Sequence, residues 1–149
     1  DLYVYPGGLY QRRFPNFRLA ELYINLAEIV NEIHGSTEEV WNLINTTRRR
    51  VGMIDIPQGL SKEQMRERIR REKKVEFALE GLRFWDVRRW KIAEVVDNVP
   101  ARFVRVDASG MFTYPVWGQR VFEQKHYLFP IPQLELDKLD GRWQQNPGW

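Results

Sequence analysis

Only His34 and Gly35 separate an apolar stripe that ends at Ile33 from a capping sequence that opens at Ser36. A joint this short between two helices leaves them an antiparallel hairpin. The first helix is expected from Phe17 to Ile33, with Asn16 as its N-cap and Gly35 just past its end. Leu19, Leu22, Tyr23, Leu26, Ala27, Val30 and Ile33 recur at three- and four-residue steps and are expected to face the core. Glu21, Asn25, Glu28 and Glu32 fall on the other side. The second helix opens on Ser36-Thr37-Glu38-Glu39. This order matches a capping box, in which the serine and the glutamate each satisfy a free backbone N–H. Val40, Leu43, Ile44, Thr47 and Val51 form its stripe, and Gly52 can end it.

A loop with Pro57 and Gly59 leads to a second capping box, Ser61-Lys62-Glu63-Gln64. The helix that follows is expected to reach Glu80, where Gly81 stops it, and a fourth is expected from Leu82 to Val96. Two helical hairpins in series predict a mainly α fold of tetratricopeptide-like character, although the detailed repeat consensus is not matched. Residues 1–16 read as loop. From Asn98 onward Pro and Gly interrupt the chain repeatedly, so residues 17–97 form a helical part and 98–149 a loop-rich, aromatic part expected to pack on the helices. Phe103–Val106 and Arg120–Phe122 are candidate short strands, and Leu134–Leu139 a helical turn or two.

Composition narrows the function classes. With 149 residues the chain is long enough to bury a core. It has no cysteine and two distant histidines, His34 and His126, which removes disulfides, thiolate metal sites and most histidine-based catalysis. No apolar run is long enough to span a membrane as a helix. A net charge of +3 is too small by itself to indicate a polyanion partner.

The candidate chemistry lies in helix three. Glu72, Glu76 and Glu80 stand one turn apart and are expected on the same face as Met65, Ile69 and Leu79. Like charges at this spacing repel, and a buried carboxylate without a partner is costly. A catalytic pair or a metal site would explain the row. Helical carboxylate sites usually add a histidine three residues after a glutamate, but Val75 and Leu79 occupy those positions. The alternative is a structural ion-pair lock, with Arg48, Arg49 and Arg50 at the end of helix two, and Arg83, Arg88 and Arg89 on helix four, as candidate partners. The planar guanidinium can hold a carboxylate with two hydrogen bonds. The lock reading rests on Glu72, Glu76, Glu80, Arg48, Arg83 and Arg88, with no residue assigned to catalysis or to a metal. The basic run Arg66–Lys74 interleaves glutamates and points around the helix, which predicts a solvated, ion-paired surface and not a nucleic-acid stripe.

These segments together resemble the SusD/RagB family. Its recurrent helix is similar to Arg18-Leu19-Ala20-Glu21 through Ala27-Glu28, and its helix end to Asn45-Thr46-Thr47-Arg48-Arg49-Arg50-Val51-Gly52. The most specific block runs from Arg71-Glu72 through Glu80-Gly81-Leu82-Arg83-Phe84-Trp85-Asp86-Val87-Arg88-Arg89-Trp90-Lys91. Tyr127-Leu128-Phe129-Pro130-Ile131-Pro132 and Gln145-Asn146-Pro147-Gly148-Trp149 resemble the family's ending. The resemblance implies an outer-membrane lipoprotein on the surface of a Gram-negative bacterium. Such proteins bind oligosaccharide or polysaccharide, or in some members peptide, and cap a SusC-like TonB-dependent transporter. They do not catalyse, and no cofactor is implied. Family members are several times longer and carry an N-terminal lipid-bearing cysteine. The chain is therefore expected to be a C-terminal portion, cut within a longer protein at Asp1, with any lipid anchor upstream.

Ligand contacts are not carried by the family motifs. Sugar rings stack on aromatics held outside the core. Phe84, Trp85 and Trp90 are expected in the core, and Trp143 and Trp149 are expected to pin the tail. Phe112, Tyr114 and Trp117, between turn signals, are the candidate ligand residues, the alternative being loop aromatics folded onto the helices. A helical repeat adaptor for protein or peptide is the competing reading, and a hydrolase using two of the three glutamates a third.

Overall fold

The computed structural model describes residues 17–138 and 141–149. Asn16 and the N-terminal loop lie outside the described residues, as does the end of the turn expected at Leu134–Leu139. The chain divides into two compact units, Asp1–Ala78 and Leu79–Trp149.

The first unit is built on three helices: α1 (Leu19–His34), α2 (Glu38–Arg50) and α3 (Lys62–Glu76). The hairpin of α1 and α2 turns at Gly35, whose φ of +82° is the left-handed value that glycine tolerates. The cap of α2 is Thr37 and not Ser36; its side chain accepts from the Val40 N–H. At α3 the Ser61–Gln64 box forms as the sequence predicts, with both reciprocal hydrogen bonds present.

Contacts along the helices fix their directions. The start of α3 meets the end of α1, where Asn31 Nδ2 donates to the Lys62 carbonyl at 3.1 Å and Arg66 holds Glu32 through Nε and Nη2 at 2.6 and 2.7 Å. The end of α3 meets the start of α1, where Arg18 donates to Glu76. So α3 runs antiparallel to α1. The guanidinium of Arg66 holds the Glu32 carboxyl below the usual carboxylate range, first by hydrogen bonding and then by its charge.

The buried faces differ from the expected ones in all three helices; on α2 Val40, Ile44 and Thr47 are buried as expected, but Asn45 joins them and Val51, just past the helix end, is exposed. On α1 the core side is Ile24, Ala27, Val30 and Asn31, while Leu19, Leu22, Leu26 and Ile33 are exposed. Apolar residues occupy more than one side of this helix, so periodicity alone could not choose the face. On α3 the buried stripe is Met65, Ile69, Lys73 and Phe77. Lys73 is tolerated there because its ammonium donates to Asn25 Oδ1 at 2.8 Å and lies 3.8 Å from Glu28. Leu79, expected in the core, is fully exposed with a φ of +68°. Helix α3 ends at Glu76 and not at Glu80, so the stripe stops at Phe77.

The loop after α2 is tied down by α2 itself. Ile56 is buried, and both its backbone groups are used: its N–H donates to Asn45 Oδ1 at 2.9 Å, and its carbonyl accepts from the Trp41 indole at 2.7 Å. Arg48 Nε donates to the Ile54 carbonyl at 2.9 Å.

The second unit begins with α4 (Leu82–Arg89) and α5 (Ala93–Val96). The single helix expected from Leu82 to Val96 is broken at Lys91, whose φ is +55°. Its core joins Val87, Ala93 and Phe122, with Ile92, Val96 and Tyr127 against them. Asn98 bonds Phe122 from both ends of its amide, accepting from the N–H and donating to the carbonyl. Arg120–Phe122, a candidate strand by sequence, takes this side-chain pairing in place of a ladder. The strands that do form are β1 (Pro100–Arg102), β2 (Arg105–Val106), β3 (Phe112–Thr113) and β4 (Val116–Gln119). A short helix, α6, spans Gln133–Asp137.

The tail is pinned by side chains that imitate backbone. Gln145 accepts from the Ile131 N–H at 2.7 Å and donates to its carbonyl at 2.9 Å. The Trp149 indole donates to the carbonyls of Lys125 and Leu128, both at 3.1 Å. Trp143, by contrast, is exposed.

Candidate functional site

Two sets of residues singled out by sequence can be built up from the structure. The first is the carboxylate row. Glu72 and Glu76 lie on α3, one turn apart and half-buried beside the Met65–Phe77 stripe. Arg48 Nη1 donates to Glu72 Oε2 at 2.6 Å. Glu76 Oε1 accepts from Arg18 Nη1 at 2.8 Å and from Arg50 Nη2 at 3.1 Å, and Arg18 Nη2 also reaches the Glu76 carbonyl at 2.9 Å. Arg18 was not among the partners expected from sequence. It stands 58 residues from Glu76, and no local pattern links positions so far apart.

Glu80, Arg83 and Arg88 belong to the second unit. Glu80 follows the end of α3, in the second unit. Arg83 lies with its guanidinium 5.9 Å from the Trp90 ring centre. Arg88 donates to the Phe84 carbonyl at 3.0 Å and stacks 3.5 Å above the Phe84 ring. Within the first unit the arginines on Glu72 and Glu76 come from the start of α1 and the end of α2. Helix α3 ends at Glu76, so Glu80 lies beyond the helix that carries Glu72 and Glu76. One carboxylate oxygen of each of Glu72 and Glu76 is thus taken up by guanidinium groups. Among the described residues no group of three or more acidic, histidine or cysteine side chains is placed to hold a metal ion.

The second set is aromatic. Strands β1 and β4 pair antiparallel, as do β2 and β3, and the Phe103 N–H donates to the Pro115 carbonyl at 3.2 Å between the two ladders. Residues 100–106 and 112–119 therefore form one long two-stranded ribbon. Its closing turn is ordered by Asp107, whose Oδ1 accepts from the Ser109 N–H at 2.8 Å and the Met111 N–H at 3.0 Å, as well as from the Ser109 hydroxyl. These bonds, the Ser109 hydroxyl first, hold the Asp107 carboxyl below the usual range.

The register places Trp117 on a bulge. Ala101 pairs with Gly118 and Arg102 with Val116, which leaves Trp117 as the extra residue between them. Bulges break the ladder locally and re-aim side chains. The Trp117 side chain is 83% exposed, and Tyr114 and Phe112 are also exposed. Arg102 Nη1 donates to the Tyr114 carbonyl at 2.9 Å and steadies the backbone between β3 and β4. The three aromatics expected on a loop thus stand on a paired ribbon. Phe84 and Trp85, expected in the core, are 40% and 59% exposed and meet edge to face at 4.9 Å.

The family to which this architecture belongs follows from comparison with known proteins. A model of the SusD family matches residues 5–149. The chain belongs to the SusD family. The SusD-like protein P2 of Formosa agariphila is 27% identical over 139 residues, which cover 89% of this chain and 25% of that protein. The crystal structure of a SusD-like protein from Bacteroides fragilis is 35% identical, with a TM-score of 0.79 over 87% of this chain and 25% of its own. Surface glycan-binding protein A from Bacteroides thetaiotaomicron is 27% identical, with a TM-score of 0.65 over 90% and 24%. The chain thus spans about a quarter of the length of these relatives. This SusD family member shares their helical, tetratricopeptide-like fold class.

Proposed function

We propose that this chain is the C-terminal portion of a surface glycan-binding protein that works with a TonB-dependent transporter in the outer membrane of a Gram-negative bacterium. On this reading residues 17–97 supply the helical part and 98–149 the glycan-facing part, and a lipid anchor upstream holds the protein at the surface. The observation that carries the proposal is the bulge at Trp117, in a family one of whose members is named a surface glycan-binding protein. A bulged, exposed indole on a ribbon braced by Asp107 and Arg102 offers a rigid apolar face to a sugar ring. Tyr114 and Phe112 add rings along the same ribbon. A few such contacts suit millimolar binding, about −4 kcal/mol. Engagement of Glu72 and Glu76 by arginine supports binding over catalysis.

Affinity electrophoresis of the intact protein through a panel of neutral polysaccharides tests this reading. At least one polysaccharide is expected to retard it, and Trp117→Ala to weaken that retardation about tenfold with an unchanged melting temperature. Retardation by none, or a Trp117→Ala protein that binds as well as the parent, would overturn it.

A further inference from the structure

Where the chain leaves β4, the second unit holds an open cleft of about 450 Å³ lined by Arg83, Phe84, Arg88, Asp97 and Arg120 among others. Three guanidinium groups and one carboxylate give this lining a formal charge of +2. Among the described residues none of the three arginines forms an ion pair, whereas Arg89 on the same helix as Arg83 and Arg88 is paired with Asp86. Two are nevertheless held in place. Arg88 lies between the Phe84 and Phe122 rings, 3.5 and 5.1 Å from their centres, and is tied to the Phe84 carbonyl. Its buried Nε has no hydrogen-bond partner. Arg120 Nε donates to the Val99 carbonyl at 3.3 Å. An arginine fixed in this way loses little freedom when it takes up an anion, and its fork matches an oxyanion with two hydrogen bonds.

We infer that this cleft is a subsite for the anionic substituent of a charged glycan, a uronate carboxylate or a sulfate ester. An oxyanion in the cleft would offset the mutual repulsion of the three guanidinium groups. The wall itself argues for a sugar as the carrier. Phe84 lines the cleft, and Trp85 and Phe129 cluster with it at 4.9 and 6.2 Å, both largely exposed. A charge pocket bordered by exposed rings suits a pyranose that bears an anionic group. The inference rests on the glycan-binding reading but names a different site and a narrower ligand class.

Calorimetric titration of the intact protein with matched pairs tests it: a uronate oligosaccharide against its carboxyl-reduced form, and a sulfated oligosaccharide against its desulfated form. At least one anionic member is expected to bind about tenfold or more tighter than its neutral partner. The advantage should shrink as salt rises and be lost in Arg120→Gln and in Arg83→Gln. The pair that shows it identifies carboxylate or sulfate. Competition by sodium sulfate at constant ionic strength reads the same site without a substitution, so the test survives a variant that fails to fold. Equal affinity within both pairs, or an advantage that survives both substitutions and sulfate, overturns the inference. If neutral glycans still bind in a Trp117-dependent manner in that case, the glycan reading stands and only the charged subsite falls. Failure of every glycan, charged or neutral, removes both. Arginine-dependent binding of an acidic peptide in preference to any glycan overturns the inference in favour of a protein partner.

Discussion

Arg48 on α2 and Glu72 on α3 meet at 2.6 Å with their side chains 16% and 12% exposed. A pair this sheltered is asymmetric in its energetics: removing one member leaves the other charge in a poor solvent. Glu72→Ala is expected to destabilise the protein by about 2–3 kcal/mol, somewhat less than the roughly 3–5 of a fully buried pair. Urea unfolding measures this. Arg48→Ala combined with Glu72→Ala should cost clearly less than the sum of the two single changes. Additive losses would mean that the pair contributes no coupling.

Asn45 presents a different kind of dependence. Its Oδ1 is the acceptor for the buried Ile56 N–H. Asn45→Ala leaves that donor without a partner, at a cost of about 1–3 kcal/mol. Because the Trp41 indole holds the Ile56 carbonyl, the loss should appear as a red shift of Trp41 fluorescence as the loop loosens. An unchanged spectrum together with unchanged stability would contradict the role assigned to Asn45.

The turn at Asp107 carries a pH dependence with a definite sign. Its carboxyl is held below the usual range, principally by the Ser109 hydroxyl and the Met111 N–H. The stabilisation is therefore complete above the unfolded value of about 3.9 and is lost as pH falls through the lower folded value. The amide resonances of Ser109 and Met111 should titrate with a midpoint below that of an exposed aspartate. In Asp107→Asn this titration should vanish. A midpoint at or above the ordinary value would show that the turn does not stabilise the carboxylate.

Gly148 has a φ of +87°, and a Cβ there would stand 2.9 Å from the Lys125 Cβ. Gly148→Ala is expected to cost about 1–2 kcal/mol from the left-handed backbone alone, with the clash in addition. Amide exchange near Trp149 should accelerate, because its indole bonds the carbonyls of Lys125 and Leu128. Exchange there as slow as in the parent would show that the tail tolerates the added methyl.

Local signals were the legible part of this fold. The Ser61 box was readable because every participant lies within four residues. The α1–α2 hairpin was readable because a joint at Gly35 allows little else. The face of α1 was not, since Ile24 and Asn31 are buried by partners distant in sequence while leucines on another side remain exposed. Neither was the end of α3 at Glu76: the glutamate spacing continues unbroken to Glu80, and nothing in the sequence announces a left-handed Leu79. Of the candidate site, the sequence singles out Trp117 but leaves open whether it stands out or folds onto the helices, because the bulge that exposes it depends on register against Ala101 and Arg102. That pairing is a property of two strands together, and neither alternates cleanly enough to reveal it.

Glu76 accepts from Arg18, just before α1, and from Arg50, the last residue of α2. One carboxylate on the final turn of α3 thus clasps a terminus of each of the other two helices. Helix ends ordinarily fray independently, opening one turn at a time. Here, loosening any of the three breaks a bond on which another end depends. The opening of these ends becomes a shared event, and the first unit should exchange its amide hydrogens as one cooperative block even at its margins.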